Sequence, residues 1–182
     1  MVVRIDFRTR SLYLCSVYLA PNSAVDLYKA HCAAILDVSD RLKDADILMV
    51  LGDYNLPNLV WQLDEDLHGY LPINASSEHE LELTESLLSY GLLQVNQFTN
   101  SMGRLLDLAF VNVPDEVDVF EPAEPLLRVD PFHKPLVVLL DVDNDVFEES
   151  EQETGFMALN FKNCDFDALN NVIIDMAPLS NR

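Results

Sequence analysis

A mixed α/β fold is what this chain predicts, and three features carry the expectation. Ile47 to Leu51 is a short, continuous apolar run of the kind buried on both faces of a sheet, and Leu105 to Val111 reads as a further buried strand. Ser23 and Ser77 each open a stretch with an acid three residues on and apolar residues at three- and four-residue spacing, the pattern of a capped amphipathic helix. Strand and helix signals alternate along the chain, which favours one interleaved domain.

In chain order, Val2 to Phe7 and Ser11 to Leu19 are rich in β-branched and aromatic residues around Arg8-Thr9-Arg10 and predict a strand hairpin. The chain opens inside that strand, so an N-terminally truncated domain is expected. Ser23-Ala-Val-Asp26 reads as a capping box, and Val25, Tyr28, Cys32, Ile35, Leu36 and Leu42 then trace a helix of roughly five turns. Ile47-Leu-Met-Val-Leu51 predicts a buried strand ending at Gly52. From Asn55 to Ser77, Pro57, Gly69 and Pro72 break every period and predict a long loop. Ser77-Glu-His-Glu80 is a second capping box, opening a helix that stops at Gly91. Leu105 to Val111 and Pro135 to Val142 predict two more buried strands, separated by a Pro- and acid-rich connection. The acidic run 143–155 reads as a linker, followed by a short strand and weak helix within 156–182.

Bulk composition narrows the function. With 182 residues, 49% of them hydrophobic, the chain suits one core. Eleven Lys and Arg against 31 Asp and Glu give a net charge of −20, so any nucleic-acid contact works against long-range repulsion. Cys15, Cys32 and Cys164 form no CxxC pair, which points away from zinc or a disulfide framework and towards a reducing compartment. No membrane span or signal peptide is evident, and an intracellular protein is expected.

The chemistry concentrates at strand ends. Leu51-Gly-Asp-Tyr-Asn-Leu-Pro57 puts the Asp53 carboxylate and the Asn55 carboxamide two residues apart beyond a buried strand, on a rigid support. A carboxylate there can deprotonate water or hold a hard cation, and an amide can donate to a phosphoryl oxygen. The plain alternative is a Gly-Asp turn. Tyr18 in Val-Tyr-Leu-Ala-Pro-Asn22 ends another strand, and Asp107 in Leu105-Leu-Asp-Leu-Ala-Phe110 is a charge in an apolar run that needs a partner. Val129-Asp-Pro-Phe-His-Lys-Pro135 places His133 just ahead of a further strand. Taken singly, Tyr18 reads as a core tyrosine, Asp107 as a structural acid and His133 as a loop histidine.

Together these segments resemble the endonuclease/exonuclease/phosphatase superfamily, and the resemblance covers about residues 2 to 142. It implies a partial four-layer α/β sandwich of the DNase I-like type and Mg²⁺-dependent hydrolysis of DNA phosphodiesters. In that family Tyr18 would contact the scissile phosphate or the metal shell, Asp53 would activate the attacking water and Asn55 would steady the phosphate. Asp107 would orient His133, which would stabilise the developing charge. Gly-Asp-Tyr-Asn-Leu-Pro followed by Trp61, with Gly91-Leu-Leu-Gln-Val-Asn96 and Asp130-Pro-Phe-His-Lys-Pro-Leu136, is similar to the nuclease domain of insect-type non-LTR retrotransposons. Leu159-Asn-Phe-Lys-Asn-Cys-Asp-Phe-Asp-Ala-Leu169 resembles the segment that joins such a nuclease to a reverse transcriptase. A nuclear place of action would follow.

Two departures qualify that expectation. The family's glutamate ligand for magnesium lies on strands earlier than any in this chain. The family's metal-binding aspartate before the histidine is replaced by Phe132, leaving Asp130 as the nearest candidate metal ligand. A catalytically inactive remnant and a phosphomonoesterase of the same fold are therefore alternatives, and an uncovered sheet edge would favour self-association. Asp141-Val-Asp-Asn-Asp145 lacks the Gly and Glu of a calcium loop, and His31, His68 and His79 lack partners at metal-ligand spacing.

Overall fold

The computed structural model describes residues 1–125 and 130–141; the linker and terminal segment expected at 143–182 lie outside the described residues. Val2–Asp6 (β1) and Ser11–Tyr18 (β2) form the antiparallel hairpin. Val25–Ser39 (α1) crosses to Ile47–Asp53 (β3), which lies parallel to β2. Trp61–Asp64 (β4) and Gly69–Pro72 (β5) make a second hairpin, and Glu78–Ser89 (α2) follows. Leu93–Gln94 (β6) and Asp107–Val111 (β7) complete a seven-stranded sheet of order β1-β2-β3-β7-β6-β5-β4. Val117–Phe120 (β8) and Val137–Leu140 (β9) pair in a separate two-stranded sheet. The domain is therefore mixed α/β, with a large sheet and two helices.

Strand alternation sorts the core into two layers. Cys15, Leu48, Val50, Leu108 and Phe110 face the helices and meet Tyr28, Cys32, Ile35, Leu83 and Leu87. Leu12, Ile47, Met49 and Val111 point to the opposite face, against Val117, Val138 and Leu140 of the small sheet. Burial on both faces explains why β3 reads as an unbroken apolar run. Gly52 is required where β3 passes β2, because a Cβ there would collide with the side chain and carbonyl oxygen of Val17.

Several expectations need correction. Ser23 does not cap α1. Its amide and hydroxyl both donate to Ala20 O (3.0 and 2.7 Å), closing a turn in which Asn22 has φ 62°, and the N-cap is Ala24 with no side-chain bond. The helix has 15 residues, nearer four turns than five, because Leu42 packs on the core from the turn beyond it. The stretch read as a loop from Asn55 to Ser77 holds the β4–β5 hairpin, and the Pro- and acid-rich connection holds β8. These strands are four residues each, with Gly69 the only fully buried residue among them, so neither an apolar run nor a clean alternation marks them. The last described strand, β9, is only half-buried and belongs to the small sheet. No helix among the described residues is long and apolar enough to cross a membrane.

Candidate functional site

Register brings the site together. Tyr18 is paired with Asp53, and Asp53 with Asp107, so the three form one row across β2, β3 and β7. They share the parity of Leu12, Met49 and Val111, which places the row on the face away from the helices. His133, on the turn before β9, completes the group. Its Nδ1 lies 3.1 and 3.2 Å from the two carboxylate oxygens of Asp107, and its Nε2 lies 3.6 Å from Asp53 Oδ2. Ligand atoms of Asp53, Asp107 and His133 all fall within 4.8 Å of one another.

Each member has a distinct environment. The Asp53 side chain is only 11% exposed, against 32% for Asp107 and 42% for His133. Asn55 donates to Asp53 through its backbone N–H (3.1 Å) and its Nδ2 (2.8 Å), and Nδ2 also donates to Leu19 O (2.9 Å). Both carboxamide hydrogens are thus engaged within the protein, so in this geometry Asn55 holds Asp53 and the end of β2 instead of offering a donor outward. Its φ of 49° is a conformation that Asn tolerates better than most residues. Tyr18 is 67% exposed, and its hydroxyl has no hydrogen-bond partner among the described residues. Asp130 stands outside the cluster, its carboxylate accepting from the Phe132 N–H (2.8 Å).

Burial raises the pKa of Asp107, and the bond and charge of His133 only partly offset this. His133 is pushed the other way by burial, yet the Asp107 bond and charge, with Asp53 and Asp130 beyond, outweigh it and raise its pKa. The ring is therefore held towards its cationic form by carboxylates at both nitrogens.

Helix α1 supplies a support that motif reading passes over. Tyr54, fully buried between Asp53 and Asn55, receives a hydrogen bond from Tyr28 Oη to its carbonyl (2.6 Å), and its hydroxyl lies 2.9 Å from His31 Nε2. Its own N–H donates to Leu106 O (2.9 Å), one residue before Asp107. Burial lowers the pKa of His31 to about 4 and, with the Asp53 charge, raises that of Tyr28 to about 12, so both are neutral near pH 7. The three-residue spacing of Tyr28 and His31 on the inner helix face was the available signal. Beside the row, a cleft of about 350 Å³ opens between the two sheets, lined by Ser16, Leu51, Ala109 and Val138 together with Asp53 and Asp107.

No protein-family model, curated protein or solved structure matches this chain. Fold and site together define a class: a mixed α/β domain carrying an acid–histidine cluster where the ends of β2 and β3 meet the start of β7.

Proposed function

We propose that this cluster is the phosphoryl-handling centre of a Mg²⁺-dependent DNA phosphodiesterase of the endonuclease/exonuclease/phosphatase type, in the variety found in non-LTR retrotransposons. The observation that carries the reading is the row Tyr18–Asp53–Asp107 with His133 against both acids. Residues from four separate segments meet at one place, as a phosphoryl-transfer site requires. The packing of the small sheet against the large one supports a partial DNase I-like sandwich, and a nuclear place of action belongs to the same reading.

Roles follow from environment. Asp53, held by Asn55, is placed to take the proton of an attacking water. His133, held towards its cation by Asp107, stabilises negative charge developing on the phosphoryl oxygens, and the exposed Tyr18 hydroxyl donates to the same group. The donor set fits a hard cation, since two carboxylates lie within reach of one centre on a solvent-facing side where water can fill the remaining positions. Asp53 and Asp107 would hold Mg²⁺, which neutralises phosphoryl charge when bound. Asp130 contributes through its charge on His133.

Nicking of supercoiled plasmid by the full chain tests this. With two clustered carboxylates and a net charge of −20, activity should be absent at millimolar Mg²⁺ and physiological salt. It should emerge as traces at low ionic strength with Mn²⁺ and vanish in Asp53→Ala. Release of inorganic phosphate from small esters without nicking would favour a phosphomonoesterase, and neither activity would favour a non-enzymatic remnant.

A further inference from the structure

Register on the site face arranges the large sheet in successive rows. Next to the polar row of Tyr18, Asp53 and Asp107 lies a second, in which Ser16 is paired with Leu51 and Leu51 with Ala109. A third row, Leu14, Met49 and Val111, packs against Val117, Val138 and Leu140 of the small sheet. Packed sheets stand about 10 Å apart, a gap that large side chains fill. In the second row two of the three positions are Ser and Ala, and there the gap stays open as the cleft of about 350 Å³. Leu51 and Ala109 line it from the large sheet, and Val119, Leu136 and Val138 line it from the small sheet and the turn leading into it.

The cleft is thus a slot with apolar walls and one polar end. Its volume falls within the roughly 300–1,000 Å³ of sites that take a small ligand, whereas packed interiors leave few voids larger than a water molecule. The uncommitted polar capacity at its end is for accepting hydrogen bonds. Asp53 and Asp107 keep carboxylate lone pairs beyond those engaged by Asn55 and His133. The Ser16 hydroxyl has no hydrogen-bond partner among the described residues. Lys134, the cation among the lining residues, is paired with Glu121 (2.6 Å). The complement to such a slot is a flat, uncharged ring with N–H donors on its edge. Nucleobases with an exocyclic amine have that form, and guanine fits best, because its N1–H and N2–H₂ stand side by side and match the two oxygens of a carboxylate.

We infer that this cleft binds a nucleobase, guanine foremost, with the ring between the two sheets and its donor edge on the carboxylates of the polar end. The base is that of a free nucleoside or of an unpaired nucleotide in a strand. The assignment does not depend on the nuclease reading. Where both hold, the base belongs to the nucleotide whose phosphate lies at the acid–histidine cluster. The substrate is then a single-stranded or locally unpaired strand, since a base stacked within a duplex cannot enter a slot between sheets.

Methyl resonances of Leu51, Ala109, Val119 and Val138 report the cleft directly. The metal-free full chain is titrated with guanosine, with uridine and with a short thymidine strand containing one guanine. Saturable shifts confined to the cleft methyls are expected with guanosine, and uridine should bind about tenfold or more weakly. Asp107→Asn should remove that preference. Ser16→Leu, at an exposed position, should fill the slot and abolish the shifts, while unmoved Leu83 and Leu87 methyls confirm an intact fold. Tighter binding of the strand than of guanosine assigns the site to a strand, and equal or weaker binding assigns it to a free nucleoside. Cleft methyls unmoved by every ligand, uridine bound as tightly as guanosine, or binding indifferent to Ser16→Leu overturns the inference. Because neither metal nor turnover enters the measurement, loss of plasmid nicking leaves it standing, and its failure leaves the nicking result standing.

Discussion

His133 is the residue on which the electrostatics of the site turn. Its raised pKa comes chiefly from Asp107, against the opposing effect of burial, so Asp107→Asn should return it towards its ordinary value. The ring Cε1–H resonance followed by NMR through a pH titration reads this directly, and an unmoved midpoint would remove Asp107 as the cause. The consequence for stability has a definite sign. Below pH 6.5 the ring is charged both folded and unfolded, and the pairing contributes in full. As pH rises through the raised folded value, the native state loses its extra proton and that contribution disappears. Stability should therefore decline with alkaline pH above this window, and His133→Gln should flatten the decline. The members of this cluster were legible in sequence because each interrupts, ends or just precedes an apolar run. The commitment of Asn55 inward was not, since it depends on the left-handed turn that brings its amide back to Asp53 and Leu19.

At the scale of elements, two similar Ser-x-x-acid patterns have different outcomes. Ser77 accepts from the Glu80 N–H (3.3 Å), and Glu80 accepts from the N–H groups of Ser77 (2.9 Å) and Ser76 (3.0 Å). Ser23 is consumed by the Pro21-Asn22 turn and caps nothing. Ser77→Ala should lower unfolding stability by about 1 kcal/mol in urea, whereas Ser23→Ala should fall well short of that. Burial opposes the charge on Glu80, but the backbone bonds of Ser77 and Ser76 win and lower its pKa. Its contribution is complete above pH 4.5 and is lost as pH falls through the depressed folded value, so the difference between Glu80→Gln and the unaltered chain should shrink in acid. Long, doubly buried β3 and β7 were legible, while β4, β5, β6 and β8 were not. Segments of two to four residues carry too little pattern to mark a strand: β4 and β5 pair with each other across a short turn, while β6 and β8 pair with more distant strands, which no local pattern encodes.

For the whole molecule, charge and apolar exposure pull in opposite directions. Strand β1 is an edge of the large sheet, and Val2, Val3 and Ile5 are 51, 40 and 41% exposed upon it. Such an edge templates pairing, while a net charge of −20 holds copies apart. Self-association through β1 should therefore strengthen as salt screens the repulsion. Sedimentation velocity at rising protein and salt concentrations tests it. The weight-average coefficient should climb with both, and Val3→Lys should suppress the climb. A single species indifferent to concentration and salt would show that the edge is adequately guarded.

The row of Tyr18, Asp53 and Asp107 also sets how this gene can change. Its members sit on three strands far apart in sequence and share a face only because every register agrees. Along a strand neighbouring side chains point to opposite faces, so gaining or losing one codon within β2, β3 or β7 would swing that strand's polar group into the helix-facing core. A missense change removes one group and leaves its companions in place. A one-codon insertion or deletion dismantles the constellation while every residue in it is still encoded. Across descendants of this sequence, length within those strands should therefore be held more tightly than composition, with insertions gathering in the turns between them.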